Sequence, residues 1–193
     1  GQNFGKIEEL VSIGGTQVLL QGGHHPKITL EYYTTLLREI KKRFPVHIHS
    51  FSAPEIEHLS RVSKKPVREI LVALREAGLD SVPGGGAEIL VNRVKEIISP
   101  LKTTTEKWLE IHETIHGLGM RSTATMMFGT VETLAERIEH GHMEFLAFLD
   151  AVDQHHGRQQ GPRGPGEEQE VVRTMEHDRR HDPAHEQAVA LLG

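Results

Sequence analysis

The apolar positions of this chain alternate between two rhythms. From Phe4 to Ile13 they fall at helical spacing, with Ile7, Leu10 and Val11 on one face, and Gly14-Gly15 ends the run. Thr16 to Leu20 then reads as a short buried strand ending in Gln21-Gly22-Gly23. Leu30 to Phe44 returns to the helical period, with Tyr33, Leu36, Leu37 and Ile40 on one side. Val46 to Phe51 predicts a second strand. Pro54-Glu55 opens a helix with Ser52 as candidate cap, and Pro66 opens another that turns Ile70, Leu71 and Leu74 inward and stops at Gly78. A third strand runs into Gly84-Gly85-Gly86. The pattern predicts a helix straight after it, from Ala87 to about Ile97, with Glu88 in its first turn. Thr104 or Thr105 caps a helix that reaches His116. Ser122 to Met127 reads as a fourth strand and Val131 to His140 as a helix.

Four strand–helix units in succession predict parallel strands joined by right-handed helical crossovers. The polar and glycine-rich residues gather where the strands end: Gln21-Gly22-Gly23, His49-Ser50, Ser81 and Thr125-Met126-Met127. That placement predicts an α/β barrel, or part of one, with a polar rim. An open doubly wound sheet is the alternative.

The charge pattern sets off the end of the chain. The 193 residues carry a net charge of −5, yet residues 1–140 hold 17 Lys+Arg against 17 Asp+Glu. Residues 141–193 hold 5 against 10, with six of the 14 histidines and five of the eight glutamines. Residues 1–140 therefore read as the folded body and 141–193 as an atypical tail, partly helical over Met143 to Val152 and otherwise disordered or out of frame. A neutral body gives no electrostatic footprint for nucleic acid. No apolar run is long enough for a membrane span and no signal peptide is visible, so the expected location is cytoplasmic. The chain has no cysteine, which excludes disulfides, thiolate zinc sites and cysteine-held iron–sulfur clusters within it.

Three motifs invite chemistry. Gly84-Gly85-Gly86 relaxes the steric limits on the backbone and lets a ligand come close. His47-Ile48-His49 places two imidazoles on one face of a strand, as a metal pair or as a rim contact beside a structural residue. His112-Glu113-x-x-His116 has the spacing of a zinc hydrolase helix, though Ser122 stands where the extended pattern needs a further histidine. There is no G-x-G-x-x-G, no Walker lysine and no G-x-S-x-G elbow.

Five segments, taken together and in order, carry a resemblance. They are Gly14 to Gly23, His47 to Ile56 (His-Ile-His-Ser-Phe-Ser-Ala-Pro-Glu-Ile), Ala77 to Leu90, Ile98-Ser99-Pro100 and Thr123 to Thr133. The chain resembles the radical S-adenosylmethionine enzymes of the futalosine route to menaquinone. Gln-Gly-Gly, His-Ser-Phe-Ser-Ala-Pro-Glu and Ala-Thr-Met-Met resemble the cyclase branch more than the sister aminofutalosine branch. The resemblance implies a partial (β/α)₆ TIM-like barrel, S-adenosylmethionine and a [4Fe–4S] cluster. It also implies a nucleoside-like substrate and an electron donor such as flavodoxin or ferredoxin. In the cyclase branch, a 5′-deoxyadenosyl radical takes hydrogen from the ribose C4′ of dehypoxanthinyl futalosine, and the ring closes onto the benzoate.

Carried over residue by residue, the resemblance puts Gln21, Gly22, Gly23, Ser52, Met127 and Gly129 at the cofactor. It puts His49, Ser50, Glu55, Ser81, Gly84, Gly85, Gly86, Glu88 and Thr125 at the substrate, and it names no catalytic residue. Thr130 stands where a histidine is expected. The cysteines of the cluster are expected before Gly1, and the likeness ends near His140, so the chain reads as an inactive fragment truncated at its N-terminus. A non-catalytic barrel remnant and the zinc hydrolase are the readings from other classes.

Overall fold

The computed structural model describes residues 2–159. The expected disordered or out-of-frame tail falls, from residue 160 on, outside the described residues. Contacts divide the chain into Gly1–Asp153 and Gln154–Gly193, and the sheet with every helix up to Gly117 belongs to the first unit.

Four strands, β1 (Gln17–Leu20), β2 (His47–Ser50), β3 (Ser81–Val82) and β4 (Arg121–Ser122), pair in parallel in the order in which they occur. Between and around them run α1 (Gln2–Ser12), α2 (Leu30–Arg43), α3 (Ala53–Ser63), α4 (Val67–Glu76), α5 (Asn92–Ile98), α6 (Thr105–Gly117) and α7 (Leu134–Gln159). The order 1-2-3-4 contains no reversal, so there is no switch point of a doubly wound sheet. Right-handed neighbour-to-neighbour crossovers put their helices on one face, as in an arc of a TIM-like barrel.

The strand pleat separates two surfaces. Val18, Ile48 and Val82 point into the core with Leu37 and Ile40 of α2, Ile70, Leu71 and Leu74 of α4, and Trp108, Ile111 and Ile115 of α6. The alternate residues Leu19, His49, Ser81 and Arg121 stand side by side in register on the other face. That face is polar, and Leu19 on it is 57% exposed.

The termini of the helices follow their sequences. Thr29 and Thr104 accept backbone N–H groups at the starts of α2 and α6, and α2 ends in Lys41, Lys42 and Arg43. Lys41 reaches the Val46 carbonyl at 3.0 Å and Asp80 at 2.6 Å, and Asp80 takes the Ile48 N–H at 2.6 Å. This joint starts β3 beside β2.

Three expected elements are corrected. No helix begins at Ala87: Glu88 sits in the left-handed region at φ 47°, and α5 starts only at Asn92. Side chains, not a helical ladder, take the backbone groups of the intervening loop; the Leu90 N–H, for example, donates to His140 Nδ1 at 3.0 Å. The fourth strand covers Arg121–Ser122 rather than Ser122 to Met127, because Thr123 and Thr125 turn their polar groups onto Gly84 instead of extending the ladder. The last helix starts at Leu134 and runs past His140. No helix among the described residues is long and apolar enough to cross a membrane.

Leu74 is fully buried between sheet and helices. Leu74→Ala should lower stability by about 2–5 kcal/mol, read from the midpoint of urea unfolding at unchanged slope.

Candidate functional site

The ends of β1 and β2 meet on one buried carboxylate. Glu55 Oε1 accepts the Gly22 N–H at 2.9 Å and the Gly23 N–H at 3.2 Å. Its Oε2 accepts the Ser52 N–H at 2.9 Å and the Ser52 hydroxyl at 2.7 Å. Ser52 and Glu55 stand at the spacing of a capping box, so the start of α3 supplies the acceptor. Gly23 has φ +72°, which lets two successive N–H groups turn to the same oxygen. Burial first, and the Glu55 charge second, push the Tyr33 phenol up; its ring edges against Phe51.

With their N–H groups committed, Gly22 and Gly23 offer carbonyls. Neither carbonyl accepts a hydrogen bond from a described residue. The Gln21 amide lies against Gly85, as does Ser52. Ser50 turns the other way: its hydroxyl donates to the Leu20 carbonyl, and it sits with Ile48 on the core side of the pleat.

The triple glycine is clasped by its own protein. A Cβ on Gly84 would overlap the Thr123 carbonyl, and one on Gly86 would overlap Pro54. The Gly84 carbonyl takes the Thr125 hydroxyl at 2.6 Å, the Gly85 carbonyl takes Trp108 Nε1 at 3.4 Å, and the Gly86 carbonyl takes Lys95 Nζ at 2.7 Å. Lys95 is itself buried, which lowers its pKa. The glycines are thus needed for close packing of the rim, and Gly85 alone has softer neighbours.

Glu88 follows directly. It is 9% exposed; Oε1 pairs with Lys102, while Oε2 is enclosed and has no hydrogen-bond partner. Its carbonyl accepts the Met127 N–H at 2.9 Å. The segment after β4 is otherwise exposed. Glu132 folds it back by accepting the N–H groups of Gly129 and Thr130 at 2.5 and 2.8 Å and the Thr130 hydroxyl at 2.8 Å. These bonds, the Gly129 N–H foremost, hold the Glu132 carboxyl far below the usual range.

Beneath the rim, on the polar face, His47 Nε2 and His49 Nδ1 converge on the Ser81 hydroxyl at 2.7 and 2.6 Å. Burial lowers the pKa of His49, and the neighbouring His47 adds to it. The structure therefore joins Gln21, Gly22, Gly23, Ser52, Glu55, Gly84, Gly85, Gly86, Glu88, Thr125 and Met127 along one rim through shared contacts, while Gly129 is held only by Glu132. His49 and Ser81 lie on the face below. The helpers Lys95 and Trp108 carry no local motif, and Lys95 is visible only as a lysine within an apolar helix; His47 is visible through the His47-Ile48-His49 pair.

The His112-Glu113-x-x-His116 reading is corrected. Nδ1 of His112 bonds the Trp108 carbonyl at 3.0 Å, and its ring stacks on the Trp108 ring at 3.6 Å. Nδ1 of His116 bonds the Ala147 carbonyl at 3.0 Å and its Nε2 meets the Ser122 hydroxyl at 2.8 Å. Both imidazoles are buried in packing while Glu113 is exposed, so the carboxylate does not share their surroundings. Among the described residues no group of three or more His, Asp or Glu is placed to hold a metal ion.

The chain belongs to the radical SAM superfamily, whose profile matches residues 4–143. Enzymes of that superfamily use S-adenosylmethionine and a [4Fe–4S] cluster. The chain is 53% identical over 139 residues to cyclic dehypoxanthine futalosine synthase of Streptomyces coelicolor, covering 72% of this chain and 35% of that protein. It is 47% identical over 135 residues to aminodeoxyfutalosine synthase of Thermus thermophilus, covering 69% of this chain and 36% of that protein. It is 46% identical over 136 residues to a 5-amino-6-(D-ribitylamino)uracil–L-tyrosine 4-hydroxyphenyl transferase of Methanosarcina acetivorans, covering 70% and 36%. The chain thus spans little more than a third of the length of these curated relatives.

Two outcomes test the geometry. Glu55→Gln places an amide donor among four donors, and should cost about 2–4 kcal/mol in chemical unfolding. The second concerns pH. Burial lowers the pKa of His112 from 6.5 to about 4, so the unfolded chain takes up its proton first as pH falls. Stability is then complete above pH 6.5 and is lost as pH drops towards 4, by on the order of 3 kcal/mol at full effect. His112→Phe, which keeps an aromatic ring against Trp108, should flatten that part of the stability–pH curve.

Proposed function

We propose that these residues form one arc of a cytoplasmic radical S-adenosylmethionine cyclase that closes dehypoxanthinyl futalosine in menaquinone biosynthesis. The observation that carries the reading is the pair of unclaimed carbonyls at Gly22 and Gly23, in a segment shared with a 53% identical synthase. Paired acceptors beside a carboxylate suit an ammonium group, here that of the methionine moiety. Cofactor and reduced cluster, when bound in the whole protein, would supply radical hydrogen abstraction from the ribose.

The remaining work falls to this chain. Gln21 and Ser52 line the methionine end, and the backbone of Met127 and Gly129 borders the adenine. Glu88, paired through Oε1 with the half-exposed Lys102, stands at the ribose end. Thr125 and Gly85 wall the nucleoside, and His49 with Ser81 faces the reacting ring from below. Glu55, Gly84 and Gly86 position these groups, and Ser50 ties β2 to β1. The chain has no cysteine, so the cluster does not fit onto it. Its thiolates come from residues outside this sequence, and the 193 residues alone do not turn over. The barrel closes to (β/α)₆ only with that further chain, and flavodoxin or ferredoxin supplies the electron.

A second reading, the aminodeoxyfutalosine synthase, is favoured by 47% identity over 135 residues. Anaerobic assay of the whole protein, reconstituted with iron and sulfide, separates the two. With dehypoxanthinyl futalosine it should yield 5′-deoxyadenosine and the cyclic product. Absence of 5′-deoxyadenosine with this substrate overturns the cyclase reading.

A further inference from the structure

The two histidines of β2 are joined in a way that neither the cofactor nor the rim requires. His47 and His49 flank Ile48 and so share the polar face of the sheet. Ser81 stands opposite His49 in the β2–β3 register. Its Oγ lies 2.7 Å from His47 Nε2 and 2.6 Å from His49 Nδ1. A hydroxyl has one proton to give. When it donates to one imidazole and accepts from the other, the two neutral rings must face it with opposite protonation, one N–H and one bare nitrogen.

We propose that His47, Ser81 and His49 form a proton relay running from the substrate side of the sheet to solvent. The inner end is His49 Nε2, which has no hydrogen bond to a described residue and is not among the fully enclosed polar atoms. The outer end is His47, which is exposed in this arc of the barrel, whereas His49 is 9% exposed. A proton taken up at His49 Nε2 releases the Nδ1 proton to Ser81, whose own proton passes to His47 Nε2. His47 then loses its Nδ1 proton to water. One proton enters, one leaves, and the two hydrogen bonds to Ser81 reverse direction. Solvent exchange at the outer nitrogens, once product has gone, restores the first arrangement.

Few charges face the relay. β1 contributes Gln17 and Leu19 on this face, and β4 contributes Arg121, in register with Ser81. Asp80, the residue before Ser81, is turned to Lys41 and the Ile48 N–H. The substrate-facing end of the relay rests on the function proposed above; the coupling of the two histidines does not.

The test is long-range ¹H–¹⁵N spectroscopy of the full chain labelled at histidine, with His47→Gln and His49→Gln assigning the signals. The nitrogens of His47 and His49 that face Ser81 should show opposite protonation in the neutral rings, and protonation of one ring should lower the midpoint of the other. Ser81→Ala should abolish that opposition and Ser81→Thr should keep it. His47→Gln should raise the His49 midpoint, because it removes a neighbouring positive charge. Two N–H groups facing Ser81, or tautomers and midpoints unmoved in Ser81→Ala, would overturn the relay. Should Ser81→Ala fail to fold, the unsubstituted chain and Ser81→Thr decide the matter. A whole protein that makes no 5′-deoxyadenosine removes the proposed reaction and leaves the spectroscopic result standing.

Discussion

The carboxylate of Glu55 decides which way the rim faces. Three backbone N–H groups and one hydroxyl converge on it from β1 and from the turn into α3. Charge-assisted bonds of this kind contribute about 1.5–3 kcal/mol each when buried, and the negative charge sits in the first turn of a helix, where it is favoured. The consequence is directional. A glycine-rich strand end usually suggests N–H groups aimed at an anion, but here those groups are consumed, and the Gly22 and Gly23 carbonyls accept no hydrogen bond from a described residue. Glu132 repeats the device at Gly129 and Thr130. Both glycine segments therefore have their N–H groups already committed, and neither resembles a phosphate cradle.

The triple glycine between them plays a different part. Its three carbonyls are held by Thr125, Trp108 and Lys95, three residues from three separate segments. Removing Cβ at Gly84 and Gly86 brings β3, the segment after β4, and the start of α3 into contact. The loop is a fastening. The residue beyond it, Glu88, is held at φ 47° with one oxygen salt-bridged and one enclosed.

The sequence makes the alternation of strands and helices legible because apolar residues repeat with period near two in β1 and β2 and near 3.6 in α2, α4 and α6. Ser52, Thr104 and Pro66 mark their helix starts for reasons of capping that need no tertiary information. What fails depends on distant partners. Ala87 to Val91 has helical composition, yet Lys95 and His140 take its polar groups, fifty residues separating Leu90 from the latter. Thr123 to Met127 has strand composition, yet its threonines bond Gly84. His112 and His116 match a metal motif by spacing, but Trp108 lies one turn earlier and takes the first ring as a stacking partner. The rim glycines are visible as a site; the carboxylates that orient them are visible only as ordinary helix residues.

The polar face of the sheet bears on what kind of barrel this arc belongs to. A TIM barrel whose interior is only structural fills it with layers of branched apolar side chains. Here one layer reads Leu19, His49, Ser81 and Arg121 across the four strands, while Val18, Ile48 and Val82 all face the helices. Burying the His49 imidazole without a partner would be costly. The Ser81 hydroxyl removes most of that cost by serving two rings at once, so the layer persists without a ligand. The same arrangement leaves His49 with one committed nitrogen and one open nitrogen. Such a polar layer, lying beneath the Glu55-bound glycine rim, sets this sheet apart from a barrel wall filled only for packing.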